Sequence, residues 1–299
     1  MNNRLTPATV GLLVIPPLLW AGNAVVGRVV SDLVPPITLN FLRWAMALLI
    51  LLPLGRSIFR KGSALWAERK RYAILGLLGI GMYNALQYMA LHTSTPINVT
   101  LVGASMPIWM LIVGRLFFNA PIAGWQLGGA FLSLSGVLTV LGRGQWQQVL
   151  ELRFVAGDIL MIAATIAWAF YSWLLAQARD SDEIRRNWAT FMLAQVVYGV
   201  AWSGVFAAGE WALTDAAIHW GWPLVLTVLF VSLGPGILAF RCWGLGVQRA
   251  GPATAAFFTN LTPLFAALMS LAFLRDLPQI YHAVAFALIV SGIVLSSRR

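Results

Sequence analysis

Long apolar runs separated by short polar breaks fill the chain from end to end. Reading runs against breaks places ten apolar segments at about 8–30, 35–55, 72–91, 96–118, 124–141, 155–177, 187–207, 222–247, 252–274 and 279–297. Each is close to the roughly 20 residues that a helix needs to cross about 30 Å of hydrocarbon. None shows the period-2 alternation of a membrane barrel strand. Lipid offers backbone groups no partner, so helices are the expected element. Pro35, Pro96 and Pro252 stand at or near segment starts, where a missing N–H costs little. Several breaks are only a few residues long, which makes consecutive helices antiparallel neighbours.

The pattern repeats. At a constant offset of 156, Pro96 matches Pro252, Pro107 matches Pro263, Phe117 matches Phe273, Leu132 matches Leu288, Ser135 matches Ser291 and Gly136 matches Gly292. Nearer the start, Trp20-Ala21 matches Trp168-Ala169 at offset 148. The expected fold class is therefore all-α and integral to the membrane: ten transmembrane helices in two five-helix repeats, 1–148 and 149–299, around a central cavity. An odd number of spans per copy makes the second copy enter from the opposite side, so the repeat is inverted. Such halves can exchange shapes and expose one midplane site to each side in turn. A membrane enzyme or a scaffold has no need of that symmetry.

Composition agrees with the pattern. With 60% hydrophobic and only 10% charged residues, and a mean hydropathy of +0.79, the chain cannot coat a water-facing surface. The net charge of +10 invites a nucleic-acid reading, but its distribution argues against one. Arg56, Arg60, Lys61, Arg69, Lys70 and Arg71 share one connection, Arg179, Arg185 and Arg186 another, and Arg4, Arg298 and Arg299 lie at the ends. All fall on one side of a ten-span chain, which the positive-inside rule makes cytoplasmic, together with both termini. The expected location is a bacterial inner membrane. The first run is too long for a signal-peptide core, so it reads as a retained span. Trp44, Trp125, Trp146, Trp188, Trp211, Trp220 and Trp222 lie near segment ends and read as an interfacial belt.

The motifs resemble a known family. Leu19-Trp20-Ala21-Gly22-Asn23 with Arg28, Phe41-Leu42-Arg43, Pro107, and Ile237-Leu238-Ala239-Phe240-Arg241-Cys242-Trp243 running on to Gly251-Pro252 are similar to the drug/metabolite transporter superfamily, EamA type. Thr262-Pro263 and Leu274-Arg275-Asp276 complete the pattern. The resemblance covers essentially the whole chain and lies nearest the bacterial exporters of aromatic and other neutral amino acids. It implies a cavity lined by the first, third, fourth, sixth, eighth and ninth spans, with the fifth and tenth outside. Where many members carry Glu at the end of the fourth span of each half, this chain has Asn119-Ala120-Pro121 and Asp276.

The candidate site residues are mainly aromatic and amide. Trp20 and Trp168 fall mid-span at matching repeat positions. Asn23 follows Trp20, and Tyr171 follows Trp168, at a spacing that keeps each pair on one helix face. Tyr83, Asn84 and Gln87 in the third span, Trp109 in the fourth and Asn260 in the ninth add polar and aromatic groups near the midplane. Singly, any of these is as well read as interhelical glue. As a set they point to a cavity. Pro107 and Pro263 kink equivalent helices and are candidate hinges.

Charges are few inside the spans. Arg43 and Arg241 alone are well embedded, at a cost of roughly 2.5–3.5 kcal/mol for a charge at a helix centre. Arg241 is the expected holder of a substrate carboxylate, whereas Arg43 reads as a structural brace. Asp158 falls close to a segment start, where it should be wet. No Asp or Glu sits within a span, so no proton relay is evident. The three histidines and lone Cys242 form no metal-binding pattern, and no cofactor is expected. The partners expected are an amino-acid substrate and the lipid bilayer, with no nucleic acid; the sequence leaves the oligomeric state open, a monomer included. The expected function is export or equilibration of neutral, including aromatic, amino acids and related small metabolites by alternating access. The alternative is an exporter of drug cations, for which aromatic walls serve through cation–π contact. It is weakened by the missing acid. No nucleophile or metal constellation supports an enzyme.

Overall fold

The computed structural model describes residues 5–145, 147, 150, 153–177, 179–274 and 279–298. Among them every regular element is helical. In chain order we label α1 (Pro7–Val29), α2 (Pro36–Gly55), α3 (Arg69–Leu91), α4 (Pro96–Ala104 continued by Met106–Phe117), α5 (Gly124–Leu141), α6 (Ala156–Ala176), α7 (Trp188–Leu213), α8 (Trp222–Ala250), α9 (Pro252–Phe258 continued by Leu261–Leu274) and α10 (Ile280–Ser296). Eight of these are long and apolar enough to cross a membrane. The two parts of α4 meet that test together across a bend of 42°, and α10 is a shorter apolar helix.

The sequence explains the ends. Pro36, Pro96 and Pro252 each occupy a first helical position, where no intrahelical N–H bond is lost. Thr95 caps α4, its hydroxyl accepting from Asn98 N at 3.2 Å, and Asn187 caps α7 through Ala189 N at 2.9 Å. Gly251, at φ 83°, turns the chain between α8 and α9 with a backbone that a side chain would strain.

Two π-helical segments interrupt the long helices: Gly76–Met82 in α3 and Ser232–Leu238 in α8. They lie 156 residues apart, the offset of the sequence repeat. Wider turns of this kind leave backbone carbonyls partly free and often mark functional sites. Pro107 and Pro263 both fall in the first turn after a break, at Ser105 in α4 and at residues 259–260 in α9.

The packing pairs unlike halves of the chain. α1 lies on α8 and α9, while α6 lies on α3 and α4; α2 packs on α7, and α5 on α10. The last pair is very close. A Cβ on Gly129 would stand 2.7 Å from Gly292 O, and one on Gly292 2.6 Å from Gly129 O. Gly76 likewise lies against Gly199, where a Cβ would meet Gly199 N at 2.6 Å, and Gly79 presses on the Tyr171 ring. Small residues let backbones approach where lipid gives helices no hydrophobic reason to associate. Gly27, by contrast, has nothing within 4 Å of an added Cβ.

Polar ties hold the connections at each end. The Asp180 carboxylate receives Arg71 Nε at 2.6 Å, Arg185 Nη1 at 2.6 Å and Tyr72 OH at 3.2 Å. That joins the arginine-rich 56–71 connection to the connection that follows α6. At the other end, Glu210 of α7 caps α2, accepting from Ile37 N at 3.0 Å, Thr38 N at 2.7 Å and Thr38 Oγ1 at 2.7 Å.

Candidate functional site

Where α1, α3, α6 and α8 converge, their aromatic side chains form one continuous cluster. Trp20 of α1 and Trp168 of α6 meet edge to face, with ring centroids 5.4 Å apart and planes at 86°. Trp243 of α8 stands 5.7 Å from Trp20 and 5.6 Å from Trp168. Around Trp168 lie Tyr83 at 5.2 Å, Tyr171 at 5.0 Å and Phe240 at 5.4 Å. Trp44 of α2 joins through Phe240 at 4.7 Å. Tilted and edge-on contacts of this kind are the favourable arrangement of aromatic quadrupoles.

The cluster's polar tips are tied to neighbouring helices. Trp243 Nε1 donates to Ser172 Oγ at 3.1 Å, and Tyr171 OH donates to Gln195 Oε1 of α7 at 3.1 Å. Trp20 Nε1 reaches Pro235 O, inside the π-helical segment of α8, at a long 3.4 Å. Trp168 and Tyr171 are buried, while Trp20 and Tyr83 keep part of their surface open. Buried Asn84 and half-buried Asn23 and Gln87 make no side-chain hydrogen bond among the described residues. An aromatic wall with unengaged amides nearby can take an apolar ring and leave donors and acceptors for a polar backbone.

Known proteins share this chain's pattern. The profile of the EamA-like transporter family matches residues 8–142 and again residues 155–298. The chain belongs to the EamA-like transporter family. Among its relatives, the uncharacterized transporter YyaM of Bacillus subtilis (strain 168) is 24% identical over 85% of this chain and 80% of its own length. An uncharacterized transporter of Archaeoglobus fulgidus is 22% identical over 96% of both. The aromatic amino acid exporter YddG of Ancylobacter novellus is 23% identical over 81% of this chain and 79% of its own length. A solved crystal structure at 20% identity superposes with a TM-score of 0.75, covering 96% of this chain and 95% of the other, so the fold is shared.

Within this EamA-like transporter the other expected site residues are spread out. Trp109 donates to Ser105 Oγ of its own helix at 3.1 Å. Asn260, buried, gives Nδ2 to Ser133 Oγ of α5 at 2.8 Å, while its Oδ1 has no partner. Arg241 directly follows Phe240 of the cluster in α8, but its guanidinium lies over a ring outside the cluster. It is exposed, its guanidinium 4.2 Å from the Trp188 ring centroid at the start of α7. A pocket of about 190 Å³ joins that place to the cluster, its walls including Arg185, Arg186, Trp188 and Arg241 at one end and Tyr171 and Phe240 at the other.

Among the described residues, Arg43 is the guanidinium that the fold buries, at 4% exposure. Its Nη2 donates to Asn40 Oδ1 at 2.7 Å, it lies 5.0 Å from the Trp44 ring centroid, and its Nε has no partner. Asn40 in turn donates to Ile80 O at 3.2 Å, beside the π-helical turn of α3. Asp158 is not wet, as its position near a helix start led one to expect; it is 1% exposed. Its carboxylate accepts from Ser94 Oγ, from Asn98 Nδ2 at 3.0 Å and from Val155 N at 2.9 Å. The chain folds the α3–α4 turn over the start of α6, and that removes the acid from water. Trp44 is buried rather than part of an interfacial belt, because α2 turns it towards Phe240. Arg275, Asp276 and Trp146 lie outside the described residues, and Arg28's side chain is likewise not described.

Trp243, Phe240 and Gln195 escaped selection from sequence. Two of them were within reach of the repeat: Phe240 and Trp243 stand 156 residues after Asn84 and Gln87, which were selected. Gln195 carries no comparable signal.

Proposed function

We propose that this chain moves neutral amino acids, aromatic ones above all, across a bacterial inner membrane by alternating access, as exporter or facilitator. The observation that carries the reading is the cluster of Trp20, Trp168, Trp243, Tyr83, Tyr171 and Phe240 at the meeting of four helices, with Asn23, Asn84 and Gln87 unengaged near it. The rings suit an aromatic side chain; the amides suit the α-amino and carboxylate groups. Distant similarity to an aromatic amino acid exporter supports the same substrate class.

Counting the bent α4 and the 17-residue α10 as spans gives ten, in inverted halves 1–148 and 149–299. The paired π-helical segments and the reciprocal packing of α1 on α8 and α6 on α3 support that symmetry. On this reading both termini and the 56–71 connection face the cytoplasm, and Pro107 and Pro263 act as hinges. Aromatic walls also fit a drug cation, but the pocket that leads to them is lined by arginines, which repel one.

Uptake into proteoliposomes tests the reading. With purified protein and no pH gradient, labelled phenylalanine, tyrosine and tryptophan should equilibrate faster than glutamate, lysine or a quaternary ammonium drug. Transport of the drug cation in place of the aromatic amino acids overturns it.

A further inference from the structure

The two ends of the chain's internal symmetry are not in the same state. α2 packs against Tyr83–Leu91, the last part of α3. The repeat-equivalent pair is α7 and Ala239–Ala250, the last part of α8, and these have no comparable packing; α7 leans instead on α2 and on Gly76–Met82. A cleft therefore separates α7 from the end of α8, and the 190 Å³ pocket fills it. Its outer rim is Arg185, Arg186, Arg241 and Trp188; its inner wall is Tyr171 and Phe240, both in contact with Trp168.

The three arginines are not equivalent. Arg185 is engaged by Asp180 at 2.6 Å. Arg186 and Arg241 are exposed and form no ion pair among the described residues. Arg241 instead lies over the Trp188 ring, 4.2 Å from its centroid, which places the guanidinium at the rim, and it makes no hydrogen bond among the described residues. A guanidinium over an aromatic ring beside an apolar passage is a receiver for a planar carboxylate attached to an apolar group.

We infer that the α7–α8 cleft is the port through which substrate reaches the aromatic cluster from the arginine-rich end, and that Arg186 and Arg241 receive its carboxylate. The inference rests on the amino-acid reading above and deepens it by naming the route and the charge selector. It also accounts for an Arg241 whose guanidinium lies over Trp188 and not over a ring of the cluster: the residue acts at entry, not at the midplane.

The test compares a carboxylate substrate with its amide. Initial rates into proteoliposomes are measured for L-phenylalanine and L-phenylalaninamide, with wild type, Arg241→Gln, Arg186→Gln, the double variant and Arg241→Lys. Loss of each charged donor should raise KM for phenylalanine about five- to tenfold with little change in kcat. KM for the amide should stay level or fall, and Arg241→Lys should recover part of the loss. Both positions are exposed, so the variants should fold, which Tm values check directly. If wild type carries no aromatic amino acid, the functional reading itself has failed. If wild type carries phenylalanine and the Gln variants keep its KM, the port is overturned while that reading stands. An unchanged KM with a Tm that has lost its dependence on phosphatidylglycerol overturns it too, and assigns the arginines to a lipid phosphate.

Discussion

At the scale of residues, the pairing of Trp20 with Trp168 was legible in the sequence, and direction around the helix was not. Trp20 and Trp168 were placed at one depth by the repeat, and the fold brings their rings to 5.4 Å. The two embedded arginines show the opposite case. Both lie within apolar runs, yet Arg43 is buried against Asn40 while Arg241 is exposed over Trp188. Hydropathy along a chain carries no azimuth, so it could not separate them. Asp158 was misjudged for a related reason: burial came from Ser94 and Asn98, which belong to a different part of the chain. The Trp pair yields a prediction at this scale. Phenylalanine keeps most of the ring contact but removes the indole N–H that Trp20 gives to Pro235 O. Trp20→Phe and Trp168→Phe should therefore keep near-native Tm. They should shift the ratio of kcat/KM for tryptophan over phenylalanine about tenfold or more, the scale of one methylene-sized change in a pocket. Competition uptake measures that ratio.

At the scale of elements, the helices start close to where Pro36, Pro96 and Pro252 allow, and the offset of 156 reappears in the two π-helical segments. The segments themselves could not be read in advance. Their glycines permit a wider turn but also permit an ordinary helix, and the choice lies with the helices packed against them. Tyr171 presses on Gly79, and Trp20 reaches Pro235 O. The α5–α10 pair was legible only as Gly136 matching Gly292; the closest approach is between Gly129 and Gly292. Gly129→Val puts methyl groups where a lone Cβ already meets Gly292 O at 2.7 Å. Overpacking of this kind costs about 1–3 kcal/mol. The expected result is a lower Tm in detergent with an unchanged KM for phenylalanine in the protein that folds, since neither α5 nor α10 contributes a ring to the cluster. A raised KM at native Tm would tie that pair to the site.

At the scale of the whole molecule, the reciprocal packing comes with unequal clefts, which is what the proposed alternating access asks of a carrier resting in one of two related shapes. α1 on α8 repeats as α6 on α3, yet α2 packs on the end of α3 where α7 stands off the end of α8. Exchange of those two arrangements would open the cluster to the other side while Asp180 and Glu210 keep their connections tied. Asp158 and Glu210 lie within helices long and apolar enough to cross a membrane, so the expectation that no acid sits within a span does not hold; each carboxylate accepts three hydrogen bonds there. On the proposed function, the substrate rests among Trp168 and its neighbours. A ligand that binds only the folded state raises Tm by mass action, by an amount set by its concentration over Kd. Thermal unfolding of wild type and Trp168→Ala, each titrated with L-tryptophan, tests the claim most directly. Wild type should gain Tm with ligand, and Trp168→Ala, starting from a lower Tm, should gain none over the same range. A Trp168→Ala protein that is destabilised yet shows the wild-type ligand dependence would make the ring part of the packing alone and contradict the site.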